Sequence, residues 1–259
     1  LDRTIKRLCS RATRFFLESN TMNIVTKESL ENYLGTPRFL KTNNKWRSNI
    51  GISNGLCWTP YGGEVIHIES VLMPGTGKIM LTGQLGDVMK ESAHIALNYI
   101  KSNISSFGIA QNMFTEFDIH VHVPSGAVSK DGPSAGMALV ISLLSCLTKK
   151  EVNQHIAMTG EIDLQGNILP VGGIKEKVLA AQRNNITTVL IPEANRPDVI
   201  EIGTLMDSFS VIYISNIMDG VTAALASVEE KEQTPAPVPE ENNITEGLLT
   251  ELPEEQFAL

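Results

Sequence analysis

The sequence predicts a mixed α/β domain, of the α/β or α+β layered kind, on three observations. Short strand-like runs recur between residues 64 and 192. Stretches of helical length and periodicity lie between them, and strands interleaved with helices build layered domains. No apolar stretch reaches the ~18 residues of a membrane span. With 259 residues, 42% of them hydrophobic, the chain is long enough to bury a real core.

The elements follow in order. Residues 1–18 set Leu1, Ile5, Leu8, Ala12, Phe15 and Phe16 at helical spacing, with arginines and lysines elsewhere around the helix. This basic amphipathic start has no signal-peptide h-region. Thr26 is placed to cap a short helix that stops at Gly35. Two short helices cannot bury this much apolar surface alone. They read as residues 1–40 of a neighbouring helical domain, the alternative being that they dock on the body. A polar, basic linker, "KTNNKWRSN", runs through 41–50.

Strands are expected at "EVIHIESVLM" (64–73), "KIMLTG" (78–83), "FDIHVHV" (117–123), "HIAMTG" (155–160) and "TTVLIP" (187–192). Helices are expected near 86–106, 134–148, 173–184 and 195–206. "DLQGNILPVGG" predicts a hairpin around Gln165–Asn167, then a glycine pair before a helix. The main domain is thus 51–226. Residues 227–259, rich in Glu and Pro, are expected to be a disordered acidic tail.

That tail accounts for the charge. The formal net charge is −8, but nine acidic residues against Lys231 alone fall after 226, leaving a neutral body. Nothing in the balance points to nucleic acid or a membrane as partner. Cys9, Cys57 and Cys146 are far apart and follow no metal or CxxC spacing, so they read as buried, reduced thiols of a soluble cytoplasmic chain.

Several motifs fail as chemistry. "LMPGTGKI" (72–79) has Leu72 where a phosphate loop needs its first glycine and Ile79 where it needs Ser or Thr, so it reads as a turn between strands. His120 and His122 alternate along a strand and share one face; two histidines are too few for a zinc site, and a structural role is expected. "GPSAG" (132–136) fits the nucleophile elbow. However, the strand ends near Val123, and the only later histidine is His155, with no aspartate between. A Ser-His-Asp triad in that chain order cannot be assembled. The S-x-x-K pattern fails at Met137.

Ser134 nevertheless stands before the apolar run "MALVISLL" (137–144), where capping, phosphate binding and nucleophilic attack are all open. Gly132 would admit a substrate close to the backbone, Pro133 fixes the entry, and peptide N–H groups at a helix start favour an oxyanion. A base is available on the helix from Gly173. Its apolar stripe takes Ile174, Val178 and Ala181, and Lys177 falls on the same face, whereas Lys175 and Glu176 point to solvent. Burial disfavours a charged amine and favours one that accepts a proton; a lysine snorkelling at the helix edge fits the same periodicity.

The linked motifs resemble the Lon family of ATP-dependent proteases. "DGPSAGMAL" is similar to that family's active-site signature, and "MTGEIDLQGNILPVGGIKEKVLAAQRNNITTVLIP" to the segment with its catalytic lysine. The likeness extends through "GLCWTPYGGEVIHIES", "LTGQLGDVMKESAHIAL" and "DIHVHVPSGAVSKDGPSAG", covering most of residues 51–215. It implies Ser134 as nucleophile and Lys177 as general base. Thr159 would hydrogen-bond the lysine, Asp131 and Gly132 would support the nucleophile, and Trp58 and Glu69 would lie near a substrate cleft. Ser129 departs from the proline common in the family.

The resemblance further implies a Lon-type peptidase fold and a helical remnant of an ATPase lid over 1–40. It implies a Ser-Lys endopeptidase that degrades unfolded, misfolded and regulatory proteins as a homohexamer in full-length form. ATP and magnesium would serve the full-length protein, with no cofactor in this segment. Two other readings compete: a kinase-like phosphate binder, which wants a charged, exposed Lys177, and a non-catalytic assembly domain.

Overall fold

The computed structural model describes residues 2–21, 24–36, 49–59, 62–124, 130–203 and 209–225. Ser129, most of the expected linker and the acidic tail lie outside these residues. The chain divides into two compact units, residues 1–48 and 49–259.

In the first unit, α1 (Asp2–Ser19) and α2 (Leu30–Leu34) meet through an edge-to-face pair of Phe15 and Tyr33 and a 2.8 Å hydrogen bond from Arg11 Nη1 to the Tyr33 carbonyl. The second helix begins later than Thr26 predicts. Ser29 takes the N-cap position, and its hydroxyl accepts from Thr26 N and donates to Thr26 O, so Thr26 heads the turn before the helix. Gly35 ends it at φ 82°.

The second unit is a mixed sheet covered by helices. Its strands are β1 (Ile52–Thr59), β2 (Gly62–Pro74), β3 (Ile79–Thr82), β4 (Phe117–His122), β5 (Ile156–Met158), β8 (Thr188–Pro192) and β9 (Ser210–Ile214). Between them, β6 (Glu161–Ile162) and β7 (Ile168–Leu169) pair as a separate hairpin. The seven-stranded order is β3-β4-β2-β1-β5-β8-β9. β2 alone runs against the others, antiparallel to β1 and β4, while every other neighbouring pair is parallel. Helices α3 (Asp87–Ser102), α4 (Ile104–Phe107), α5 (Gly136–Thr148), α6 (Ile174–Arg183), α7 (Arg196–Ile202) and α8 (Ile217–Ala224) fill the connections.

Apolar alternation divides the sheet between two cores. In β5, Ile156 and Met158 join one core and Ala157 the other; in β8, Leu190 joins the first and Val189 and Ile191 the second. The first core is built on α3, α5 and α8, and the second holds Ile174, Val178 and Ala181 of α6 with Val199 of α7. Central strands covered on both faces read as continuous apolar runs, which is why "TTVLIP" shows no alternation. Helix α5 is buried from Gly136 to Leu147, matching the largely apolar run that predicts it. Apolar residues on every side suit such burial, and the two serines within it are satisfied: Ser142 Oγ donates to Gly51 O at 2.8 Å and Ser145 Oγ to Lys150 O.

The predicted elements shift at their ends for identifiable reasons. The helix expected over 86–106 breaks at Asn103, whose side-chain amide turns back to Tyr99 O at 2.9 Å. The last predicted helix begins with a 3₁₀ turn at Glu193–Asn195 and reaches Ile202; its expected end, 204–206, lies outside the described residues. The 72–79 segment is a turn: Asp118 Oδ1 accepts from Thr76 N and Lys78 N at 2.7 and 2.8 Å. The hairpin turn is set by Asp163, whose Oδ1 accepts from Gln165 N and Asn167 N. Two strands and one helix, β1, β9 and α8, go beyond the sequence reading.

Candidate active site

In parallel strands the carboxyl ends face the loops that build sites. The C-terminal end of β5 is such a place. Ser134 sits in a single 3₁₀ turn, Pro133–Ala135, directly before α5. Its carbonyl accepts from Gly160 N at 2.9 Å, and Met137 N donates to Gly160 O at 3.0 Å, so this turn is stitched to the residues that follow β5. The last glycine of "GPSAG" is required by that stitch: a Cβ on Gly136 would stand 2.9 Å from both Ile162 N and Ile162 Cγ2. Gly132 has open space around it but φ of 123°, a backbone region that L side chains avoid. Ala135, not Ser134, holds the N-cap position of α5, so the capping explanation for a serine here is not what the structure shows.

Lys177 lies one turn into α6 and is 2% exposed, while Lys175 is exposed. Its Nζ donates to Thr159 Oγ1 at 3.0 Å. Thr159, wholly buried, donates in turn to the Ser134 carbonyl at 3.3 Å. The three residues therefore form one connected group: Ser134 through its backbone, Thr159 through its hydroxyl and Lys177 through its amine. Among the described residues no hydrogen bond joins Ser134 Oγ to Lys177 Nζ directly.

Burial pushes the Lys177 amine down to about 8 from its ordinary 10.5. The neighbouring thiol of Cys57 is pushed up to about 11, first by burial and then by Glu64. The two groups are coupled, Cys57 raising the Lys177 amine and Lys177 lowering the thiol, but for the amine this is smaller than the effect of burial. Lys130 is likewise lowered by burial, and its amine donates to Gly83 O at 3.2 Å.

The backbone around α6 is fitted closely. A Cβ on Gly63 would stand 1.9 Å from Glu176 O and 2.9 Å from Lys177 N, so the "GG" of β2 lets α6 lie against the strand. Gly173, at the head of α6 with φ 71°, abuts Trp58, a residue 57% exposed near the end of β1. The preceding loop is pinned by Asn195, 4% exposed. Its Oδ1 accepts from Val171 N, and its Nδ2 donates to Val171 O, both at 2.9 Å.

Not every residue singled out in the sequence converges here. Trp58 pairs with Gly63, whereas Glu69 pairs with Ile52 and His122, six strand residues or about 20 Å along β2. His120 and His122 share a face as expected and both bond Thr82 Oγ1, at 2.9 and 2.7 Å. Asp131 is exposed and hydrogen-bonds backbone amides rather than Thr159 or Lys177. Glu176, expected at the solvent, is half-buried. Of the three cysteines expected to be buried, Cys146 is, Cys57 is half-buried beside Lys177, and Cys9 is exposed, as its helix buries no residue. Sequence reasoning passed over Asn195 and Gly63. Only the paired glycine gave a signal, as a backbone position without room for a side chain.

A family model described as the Lon protease (S16) C-terminal proteolytic domain matches residues 24–227. "Lon protease 2" of Thermus thermophilus is 49% identical over 78% of this chain and 25% of its own length. "Lon protease" of Trichlorobacter lovleyi is 46% identical over 92% of this chain and 29% of its own. "Lon protease" of Heliobacterium modesticaldum is 40% identical over 98% and 32%. The chain spans about a quarter to a third of the length of these curated relatives.

Proposed function

The chain belongs to the Lon protease family through its C-terminal proteolytic domain, and on that premise we propose that it is a serine endopeptidase with Ser134 as nucleophile and Lys177 as general base. The observation that carries this reading is the burial of Lys177 with its amine on Thr159, which is joined to Ser134. A neutral amine gives one N–H to Thr159 and keeps its lone pair for the Ser134 hydroxyl. That hydroxyl then attacks the peptide carbonyl while its proton passes to Nζ. The proton is delivered to the leaving amine, the acyl-serine forms, and water activated by the same amine releases the product. The positive end of the α5 dipole lies beside Ser134 and favours the developing oxyanion.

A phosphate binder would need a charged, accessible lysine, and 2% exposure speaks against it. An assembly domain without catalysis would have no use for a buried amine so placed. In the full-length protein the activity is ATP-dependent, with magnesium at a separate motor module, in a homohexamer that degrades misfolded and regulatory proteins in the bacterial cytoplasm. The ATP-driven part rests on the family likeness, as does the assignment of the first unit to the motor's lid.

The test is labelling with a serine-reactive fluorophosphonate and mapping of the adduct. Modification of Ser134, with loss of both labelling and peptide cleavage in Ser134→Ala, is the expected result. Unimpaired cleavage by that variant would overturn the assignment.

A further inference from the structure

Asp131 stands three residues before the nucleophile, yet its carboxylate is turned toward the first turn of α3. Its Oδ1 accepts from Met89 N at 3.1 Å and from Gly132 N at 3.0 Å. Met89 is the third residue of α3, and its amide is one of the four that a helix start leaves without an internal partner. The helix provides no side-chain cap of its own, since Gly86 occupies that position. Asp131 caps it from a distant part of the chain. Gly86 makes this possible: a Cβ there would stand 2.3 Å from the Asp131 carboxyl carbon and 2.6 Å from each oxygen. Backbone bonds reinforce the approach, Gly86 N to Lys130 O at 2.8 Å and Lys130 N to Gln84 O at 3.0 Å.

The anchor is firm, because α3 buries Met89, Ala93, Ala96, Leu97 and Ile100 in the main core. The Ser134 turn is thus held from two sides. Gly160 and Thr159 grip its carbonyl, and Asp131 fixes the Gly132 amide that leads into it.

We propose that Asp131 is a positioning residue that latches the Ser134 turn to the first turn of α3, with Gly86 as the notch that admits its carboxylate. The proposal rests on Ser134 being the nucleophile. The latch touches neither substrate nor the reacting atoms; it sets where the hydroxyl stands. Losing it should slow acylation and leave substrate binding alone, and a misplacement of about 1 Å costs on the order of a hundredfold.

The experiment compares Asp131→Ala, Asp131→Asn, Gly86→Ala and the double alanine variant with the parent chain. The readouts are kcat and KM on a fluorogenic peptide, the rate of fluorophosphonate capture, and hydrogen exchange at the Met89 amide. Each single alanine change should lower kcat and capture about ten- to a hundredfold, with KM within about twofold. Asp131→Asn keeps an acceptor oxygen and should recover most of the rate. Because both residues serve one contact, the double variant should be no slower than the slower single one. The Met89 amide should lose protection in Asp131→Ala whatever the turnover. Full-rate capture by Asp131→Ala, multiplied losses in the double variant, or an unchanged Met89 amide would each overturn the latch. If Gly86→Ala does not fold, the contrast between Asp131→Ala and Asp131→Asn decides alone. Cleavage surviving in Ser134→Ala would instead overturn the nucleophile, so the two failures are distinguishable.

Discussion

Lys177 and Thr159, both buried, share one hydrogen bond of 3.0 Å, and the same threonine hydroxyl donates to Ser134 O at 3.3 Å. A hydroxyl has a single hydrogen, so its donation to Ser134 fixes the oxygen as an acceptor for the amine. Thr159→Val is nearly isosteric and removes both bonds. The amine is then buried without a partner, at a cost of about 1–3 kcal/mol. We expect a lower melting temperature and a kcat reduced by about ten- to a hundredfold, with KM little changed. An unaltered kcat would show that the amine needs no orienting partner.

Lys177 and Lys175 differ by two helix positions, about 200° around the axis. One is buried and the other exposed. Lys177→Met keeps length and apolar character, so cleavage should vanish while stability rises by about 1–3 kcal/mol at neutral pH, since no charge is buried. Lys175→Met should be silent in both. The assignment fails if the two variants exchange phenotypes in a peptide-cleavage assay.

With the amine at about 8, roughly a tenth of it is neutral at pH 7 and about nine-tenths at pH 9. Cleavage should climb about tenfold over that interval and level off above it. Folding stability carries the same sign. Below about 8 the lysine is charged in both states. Between about 8 and 10.5 the unfolded chain keeps the proton that the folded chain has released, so stability rises with pH through that window. A rate profile with its midpoint near 10.5 would show an amine unaffected by burial.

The sequence displays the parts of this architecture whose burial is apolar. Helix α5 and strand β8 read directly because their core-facing residues are overwhelmingly hydrophobic, and the two buried serines of α5, Ser142 and Ser145, are too few to break its run. Strand β1 does not, because it buries polar groups: Ser53 Oγ donates to Ala138 O at 2.7 Å, and Asn54 Nδ2 to Gln154 O and Ile156 O. Such residues count as loop formers until their partners, some hundred residues away, are known. The site divides in the same way. Helical periodicity alone puts Lys177 on the buried face, but Thr159 and Asp131 came only through the family likeness. The latch on α3 needs the approach of Gly86 to Asp131, which no local pattern encodes.

Asn195 offers the sharpest single-atom test of how α6 is placed. Its amide pairs with both the N–H and the C=O of Val171, as a neighbouring strand would, and its Nδ2 also donates to Asp198 Oδ2 at 2.6 Å. Val171 lies two residues before Gly173, whose carbonyl accepts from Lys177 N at 3.1 Å, so the clamp fixes the loop from which the lysine's helix starts. Asn195→Asp changes one NH₂ group to oxygen. The acceptor for Val171 N survives, whereas both donated bonds become contacts between oxygens, one of them between two carboxylates. A buried polar group left in that condition costs about 1–3 kcal/mol, and more when charged. The variant should melt earlier, and its loop should withdraw from Trp58, raising KM for peptides as well as lowering kcat. Asn195→Leu, which removes the bonds without repulsion, should be milder. Equal stability of Asn195→Asp and the parent chain, measured by thermal melting at pH 7, would show that the clamp carries no tension between these loops and that Val171 is held by other contacts.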